Sequence, residues 1–446
     1  MKLFHLVRDG FDKSLLRKVA MEREEPITHL LLKVLDRISE QYNRSITLLA
    51  VNPNSLSVVK SALRSAKKYN SPIILTCTLN QVDLDGGYTT WTQFDFVKVV
   101  KEEAETIGFD GPIIIAADHY GPWLKDKHAK EGLSLEDTLA GVKDSLEACL
   151  QAGFDYIHID ATVCPELSGA ARMSTVVERT LELIEYTETL RKEKGLPKIS
   201  YEVGTEEVVG GLTEPDLVAT FLGKLREMML ARDLSEAWPS FVVGNIGTAL
   251  DTTTFNFEAA RTLFDISSGY GLHLKSHYTD YVARLEDYPK IPIRGANVGP
   301  RFANAEFDSL QRLADTEAEF SKKGVIEQHS DISQVLVNAV VDSDRWKKWL
   351  QKSEMGKNFS QIDRNRQLWL LRTGARYVWM SPSVIAGRTK LYDNLRTCGM
   401  NAEEEVLGDI DNAMDAFFVP FNLGDSSSKI ESVLKDYADP ARGDAR

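Results

Sequence analysis

The tripeptide Ala117-Asp118-His119 ends an apolar run with a carboxylate and an imidazole side by side. Similar runs further along carry His158 and Asp160, then Glu202, then His273 with His277, and finally Asn297. Imidazoles and carboxylates delivered from separate strands suit a divalent metal held with one position left open. Of the eight histidines, His119, His158, His273 and His277 fall on or near the ends of such runs, with His128 not far off. A lone histidine on an interior strand is more often a satisfied core residue, so position ranks them. His119 and His277 each stand at a strand end beside another polar residue, which makes them the first metal candidates. His158 and His273 lie deeper by alternation and are read as barrel-layer or substrate-side residues. An unpaired carboxylate at Asp118 is costly unless it is bonded or catalytic. Glu202 sits in a strand otherwise apolar or aromatic, where a glutamate needs a partner or a task. Asn80, Gln81, Asp160 and Asn297 complete the polar set facing a substrate. The run Glu102-Glu-Ala-Glu105 is an exposed helix face.

These residues need a scaffold that brings distant strand ends together. Short apolar runs recur over residues 46 to 300: Ile46–Val51, Pro72–Cys77, Pro112–Ala117, Tyr156–Asp160, Ile199–Val203, Phe241–Gly244, Leu272–Lys275 and Ile291–Arg294. Each is short and continuous, as a strand buried on both faces should be. Helical periodicity fills the gaps at Ser55–Lys68, Thr92–Ile107, Ser134–Ala152 and Thr213–Leu230. Ser134-Leu-Glu-Asp137 has the capping-box pattern, and Pro215 stands near a first turn, where proline is tolerated. Eight strand–helix units predict an α/β fold, a (β/α)8 TIM barrel, whose chemistry lies at the C-terminal ends of the strands. A doubly wound open sheet is the rival, but no glycine-rich phosphate fingerprint follows the first strand.

The division expected is a short N-terminal helical lead-in at 1–45, the barrel at 46–324, and a mostly helical C-terminal extension at 325–446 packed on it. In that extension only Arg376–Met380 resembles a strand, and Asp439–Arg446 is expected to be loose.

The chain has 446 residues, 43% hydrophobic and 27% charged, enough to build a large core. Its net charge of −13 argues against nucleic acid and against anionic membrane surfaces. No run approaches the roughly 20 apolar residues of a membrane helix. Four cysteines without a CxxC, and an N-terminus lacking an apolar h-region, predict a cytoplasmic protein. The many Glu, Lys and Arg residues suit a thermostable one.

Several of these stretches resemble the tagatose-1,6-bisphosphate aldolase non-catalytic-subunit family: Asn80-Gln81 with Gly86-Gly87-Tyr88, Asp118-His119-Tyr-Gly-Pro122, Gly153-Phe154 with Ile157-His-Ile-Asp-Ala161, Ser200-Tyr201 with Gly204-Thr-Glu206, His277 with Thr279-Asp-Tyr281, and Val298-Gly-Pro300. The resemblance runs from about residue 46 to 400. The family is similar to class II aldolases, zinc barrels, and what that implies is Asp118 as acid/base with His119 and His277 as metal ligands. It is also similar to metal-dependent tagatose and tagaturonate epimerases, which use an Asp base and a Glu acid; Glu202 matches that Glu. Two departures stand out. Class II aldolases carry a further ligand His after strand six, where this chain has Gly244-Asn245, so Glu202, His273 or water would complete the site. They also follow the strand-seven His with glycines and Ser that cradle phosphate. Here Tyr278-Thr-Asp-Tyr281 follows, and Asp280 suits sugar hydroxyls, leaving any anionic group to Arg294 or Arg301.

The resulting expectation is a metal-dependent ketohexose epimerase interconverting tagatose and fructose at C4 by retro-aldol/aldol chemistry on an unphosphorylated sugar. Asp118 and Glu202 are its catalytic pair, and His119, Glu202 and His277 its ligands for Zn, Mn, Ni or Co. Asn80, Gln81, His158, Asp160, His273, Asp280 and Asn297 are its substrate contacts. A homo-oligomer is expected. The alternative is a non-catalytic accessory subunit that stabilises a class II tagatose-bisphosphate aldolase partner.

Overall fold

The computed structural model describes residues 12–165, 167, 169–205, 212–250 and 253–438. The segment Asp439–Arg446 and the charges Glu206 and Glu207 lie outside the described residues.

Eight parallel strands close into a barrel in sequence order. They are β1 (Leu48–Val51), β2 (Ile73–Thr78), β3 (Ile113–Tyr120), β4 (Tyr156–Ile159), β5 (Ser200–Gly204), β6 (Phe241–Val243), β7 (His273–Ser276) and β8 (Gly295–Val298). β1 pairs with both β2 and β8, so no edge is left open. Nearly every strand residue is buried, which is why the runs read as continuously apolar.

The helices between strands start and stop on local chemistry. Ser55 and Ser134 accept the amides of Val58 and Asp137, capping the helices Leu56–Tyr69 and Leu135–Ala152. Thr92 and Asp95 form a reciprocal capping box on Gln93–Ile107. Gly108 and Gly153 end two of these helices in the left-handed region.

Two expected strands fall elsewhere. Ile291–Arg294 is the turn entering β8, because Pro292 has no N–H to give to a central ladder. Arg376–Met380 continues the helix Arg364–Ala375 as tight turns, with Tyr377 N–H bonding Gly374 O and Val378 N–H bonding Ala375 O. A closed barrel offers that segment no sheet edge to join.

At the N-terminal end of the barrel, the helix Ile27–Tyr42 packs beneath the strands and presents Asp36 to them. The chain after β8 continues through the long helix Pro300–Lys322 and then spans the barrel's height. Residues 345–377 lie over the mouth, where Arg345 and Lys348 reach Asp126 at 2.5 and 3.2 Å. The last helices run back down: Arg64 meets Glu404 and Asp411 on the helix Ala402–Phe418, and Thr47 N–H bonds Phe421 O beside β1. Among the described residues no helix is long and apolar enough to cross a membrane.

Candidate metal centre and cleft

The site begins with an irregularity in β3. The strand does not stop at Ala117; its register with β4 shifts between Ala117 and Tyr120, and His119 takes φ 54°. A bulge lets neighbouring side chains face the same side. Asp118 and His119 therefore both reach the mouth, at the roughly 1–3 kcal/mol typical of a strained backbone. The turn that follows is tight: a Cβ on Gly121 would stand 1.5 Å from Asp160 O.

Four side chains meet there. Ligand atoms of Asp118, His119, His158 and His277 all lie within 4.8 Å of one another. Asp118 Oδ1 is 3.3 Å from His158 Nδ1, 3.7 Å from His277 Nε2 and 3.9 Å from His119 Nε2. Its other oxygen accepts the side-chain amides of Asn52 and Asn297. Burial disfavours the Asp118 carboxylate, but His119, His277 and His158 outweigh it and hold its pKa well below the usual range.

These residues fit a metal. His119 Nδ1 is 2.6 Å from Asp160 Oδ2, which orients the ring and leaves Nε2 for the cluster. Burial brings the His277 pKa down to about 4, which favours the neutral imidazole that a metal requires. His158 turns Nδ1 to the cluster, 3.3 Å from Asp118 Oδ1 and 3.4 Å from Glu202 Oε1. With no histidine after β6, His158 supplies the third imidazole of the cluster, a place expected of Glu202, His273 or water.

Glu202 stands outside this ligand set. It is fully buried beside His158 in the β4–β5 register, and Oε2 is 2.6 Å from Lys275 Nζ. Lys275, equally buried, also donates to Tyr156 Oη at 3.0 Å. Oε1 lies 3.2 Å from His277 Nε2 and 3.4 Å from His158 Nδ1. Burial opposes the charge, yet Lys275, His158 and His277 bring the Glu202 pKa down to about 2. A permanently ionised carboxylate behind two imidazoles orients them.

The remaining expected residues divide. Asn297 grips Asp118 and Asp160 orients His119, so both support the cluster directly. Asn80 and Gln81 line the cleft, but their side chains brace backbone: Asn80 bonds Leu124 O and Asp126 N–H, and Gln81 bonds Pro53 O and Thr78 N–H. Asp280 lines the cleft too, with Oδ1 accepting the Gly299 and Arg301 amides at the start of the helix Pro300–Lys322. Its carboxylate thereby satisfies amides at that helix N-terminus, an end that favours negative charge. His273 does not belong to the site. As the first residue of β7 it faces the N-terminal end, with Nε2 2.8 Å from Asp36. Arg294 shares that Asp36, so it cannot serve an anion at the mouth, and Arg301 is turned to Asp280 O. His128 sits apart on the short helix Asp126–Lys130.

Sequence reasoning missed Lys275, Asn52 and the roof of the cleft. Lys275 had a signal: a lysine in an apolar strand, on the same face as His277 by alternation, and a buried glutamate wanting a cation. The roof had none that is local. Trp349, Arg376 and Tyr377 of the extension line the cleft, which is partly open to solvent, together with Asp118 and His277.

Comparison with known proteins places these residues in a family. The model described as D-tagatose-1,6-bisphosphate aldolase subunit GatZ/KbaZ-like matches residues 33–408. A probable tagatose 6 phosphate kinase from Sinorhizobium meliloti 1021 is similar in structure, with TM-score 0.64 and 20% identity, covering 88% of this chain and 99% of that one. Fructose-bisphosphate aldolase from Campylobacter jejuni gives TM-score 0.52 and 13% identity, covering 89% and 94%. At such identities the likeness bears on the fold alone.

Proposed function

We propose, from the premise that the chain belongs to the D-tagatose-1,6-bisphosphate aldolase subunit GatZ/KbaZ-like family, that it is a metal-dependent ketohexose epimerase interconverting tagatose and fructose at C4. The observation that carries this reading is the meeting of Asp118 with His119, His158 and His277 at the mouth of the barrel. His119, His158 and His277 would hold a divalent ion such as Zn, Mn, Ni or Co. Bound there, the ion supplies Lewis-acid polarisation of the ketose carbonyl.

The protein's own residues favour cleavage and re-formation of the C3–C4 bond. C4–H is not acidic in a 2-ketohexose, so direct deprotonation there is closed. Proton exchange at C3 through two opposed groups would invert C3, and it would need Glu202 as an acid. Glu202 is buried and committed to Lys275. A single base suffices for the other route. Asp118 accepts the O4 proton, the C3–C4 bond breaks with its electron pair left on the C1–C3 fragment, and the aldehyde turns its other face. The bond re-forms and Asp118 returns the proton to O4. Asn52 and Asn297 hold the carboxylate in place throughout. Glu202 acts as a positioning residue for His158 and His277.

The family's description as an aldolase subunit favours one second reading, an accessory barrel that stabilises a catalytic partner. Incubating the purified chain alone with fructose or tagatose and a divalent metal, with and without EDTA, separates the two. Metal-dependent interconversion supports the epimerase. Absence of turnover with every metal, while an added aldolase subunit gains stability, supports the accessory role.

A further inference from the structure

Asp126 stands between the barrel and the extension. It follows β3 by one short loop and lines the cleft. The barrel fixes that loop from below. Asp126 N–H donates to Asn80 Oδ1 at 2.8 Å, and Asn80 Nδ2 donates to Leu124 O at 2.9 Å. Lys125 Nζ lies 2.6 Å from Asp83 and 2.8 Å from Asp85, both on the loop after β2. Asp83 is buried and also accepts the side chains of Gln93 and Ser145. Asp126 is therefore a post whose position β2 and β3 decide.

The roof reaches this post from the other side, with one cation on each carboxylate oxygen. Arg345 Nη1 lies 2.5 Å from Oδ2, and Lys348 Nζ lies 3.2 Å from Oδ1. Arg345 also covers the ring of Tyr377 at 4.9 Å, and Tyr377 meets Tyr88 edge-on at 5.2 Å. Trp349, the neighbour of Lys348, lines the cleft as Tyr377 does. The roof has little stiffness of its own. It is built of 3₁₀ turns, Arg345–Trp349, Lys352–Glu354 and Phe359–Gln361, which are short because their hydrogen bonds are poorly aligned. Other bonds of this stretch run back into the extension, from Trp346 Nε1 to Val341 O and from Arg366 to Trp349 O. An exposed ion pair is worth little. Here the Arg345 and Asp126 side chains are 23% and 19% exposed, and the contact is charge-assisted, so it outweighs the weak local preference of the turns.

We infer that Asp126 is a positioning residue. Through Arg345 and Lys348 it holds Trp349 and Tyr377 over the cluster of Asp118, His119, His158 and His277. It acts through the roof and not on the reacting atoms. Its loss should loosen the grip on the sugar and spare the metal. The kinetic consequence rests on the reading that the cleft turns over a ketose; the structural consequence does not.

Hydrogen exchange read by mass spectrometry, on the full chain with Mn²⁺, tests this beside steady-state kinetics with fructose. The chains compared are the wild type, Asp126→Asn, Arg345→Met and the double variant. In each single variant, peptides from 345–361 should exchange about tenfold faster, the scale of one lost charge-assisted contact. The double variant should add little more, because both changes break one contact. Peptides from 113–120 should keep their protection. KM for fructose should rise about tenfold with kcat within about twofold of wild type, and Asp126→Glu should restore part of it. The melting shift produced by Mn²⁺ should persist. Unchanged roof exchange in Asp126→Asn, full additivity in the double variant, or a loosened roof with unaltered KM would overturn the inference. A fall in kcat at constant KM would overturn it too, by placing Asp126 in the chemistry. If Asp126→Asn does not fold, Arg345→Met decides by the same roof exchange and the same KM. A wild type that turns over no sugar sinks the epimerase reading, and roof exchange then decides the role of Asp126 alone. Turnover by a wild type whose roof ignores Asp126→Asn does the reverse.

Discussion

Lys275 Nζ lies 2.6 Å from Glu202 Oε2, and neither side chain has any solvent exposure. The pair joins β7 to β5 through the barrel interior, directly beneath His158 and His277. Its partners make it sensitive to loss of either member. We predict that Lys275→Met leaves Glu202 as an uncompensated buried charge and destabilises the fold by about 3–5 kcal/mol. Chemical denaturation reads this directly. The double variant Glu202→Gln/Lys275→Met should recover much of the loss, and full additivity of the two single variants would refute the coupling.

Asp118 is predicted to be the proton acceptor, and its loss should separate chemistry from folding. Asp118→Asn keeps a similar shape and can still bond a neighbouring amide. Sugar interconversion should fall by about 10²–10⁴-fold. Melting temperature should change little. Near-wild-type turnover would remove Asp118 from the mechanism.

Metal should stabilise the native chain, because the unfolded chain has no preformed site. A free ion about a hundredfold above its dissociation constant adds about 2.7 kcal/mol. Thermal melts with and without EDTA measure this. His277→Ala and His158→Ala should each abolish most of the shift. A full shift in His158→Ala would mean that His119 and His277 suffice without it.

Below the barrel, Asp36 ties the lead-in helix to His273 and Arg294. Partial burial opposes its charge, but those two partners lower its pKa below the ordinary value. A depressed carboxylate contributes stability above its unfolded pKa and loses it as pH falls through the folded one. The wild-type advantage over Asp36→Asn should be constant at neutral pH. It should begin to shrink as the pH nears the ordinary value of roughly 3.9 and vanish below the depressed native value. An advantage independent of pH down to acid unfolding would contradict this. The contribution is modest, because the Asp36 side chain is 45% exposed.

Gly121 is predicted to be intolerant of any side chain. A Cβ there would overlap the Asp160 carbonyl, so the turn after His119 would have to move. Gly121→Ala should lower both stability and metal affinity, since Asp160 orients His119. Unchanged metal affinity in a folded Gly121→Ala would show that the turn can yield without disturbing the ring.

The sequence by itself determined the barrel and the cluster's core. Apolar runs at regular intervals can be buried only as central strands, and Asp118, His119 and His277 stand where such strands end. Composition and alternation are local properties, so they survive in one dimension. The tertiary structure decided which end of the barrel each polar residue faces. His273 and His277 lie four residues apart on the same alternating face, yet one meets Asp36 at the base and the other Asp118 at the mouth, because β7 spans the height between them. It also decided the partner of Glu202, since only closure of the barrel places Lys275 against it. The roof was legible from nothing local: Arg376 is about 260 residues from His119 along the chain, and only the extension's path over the mouth brings them into one cleft.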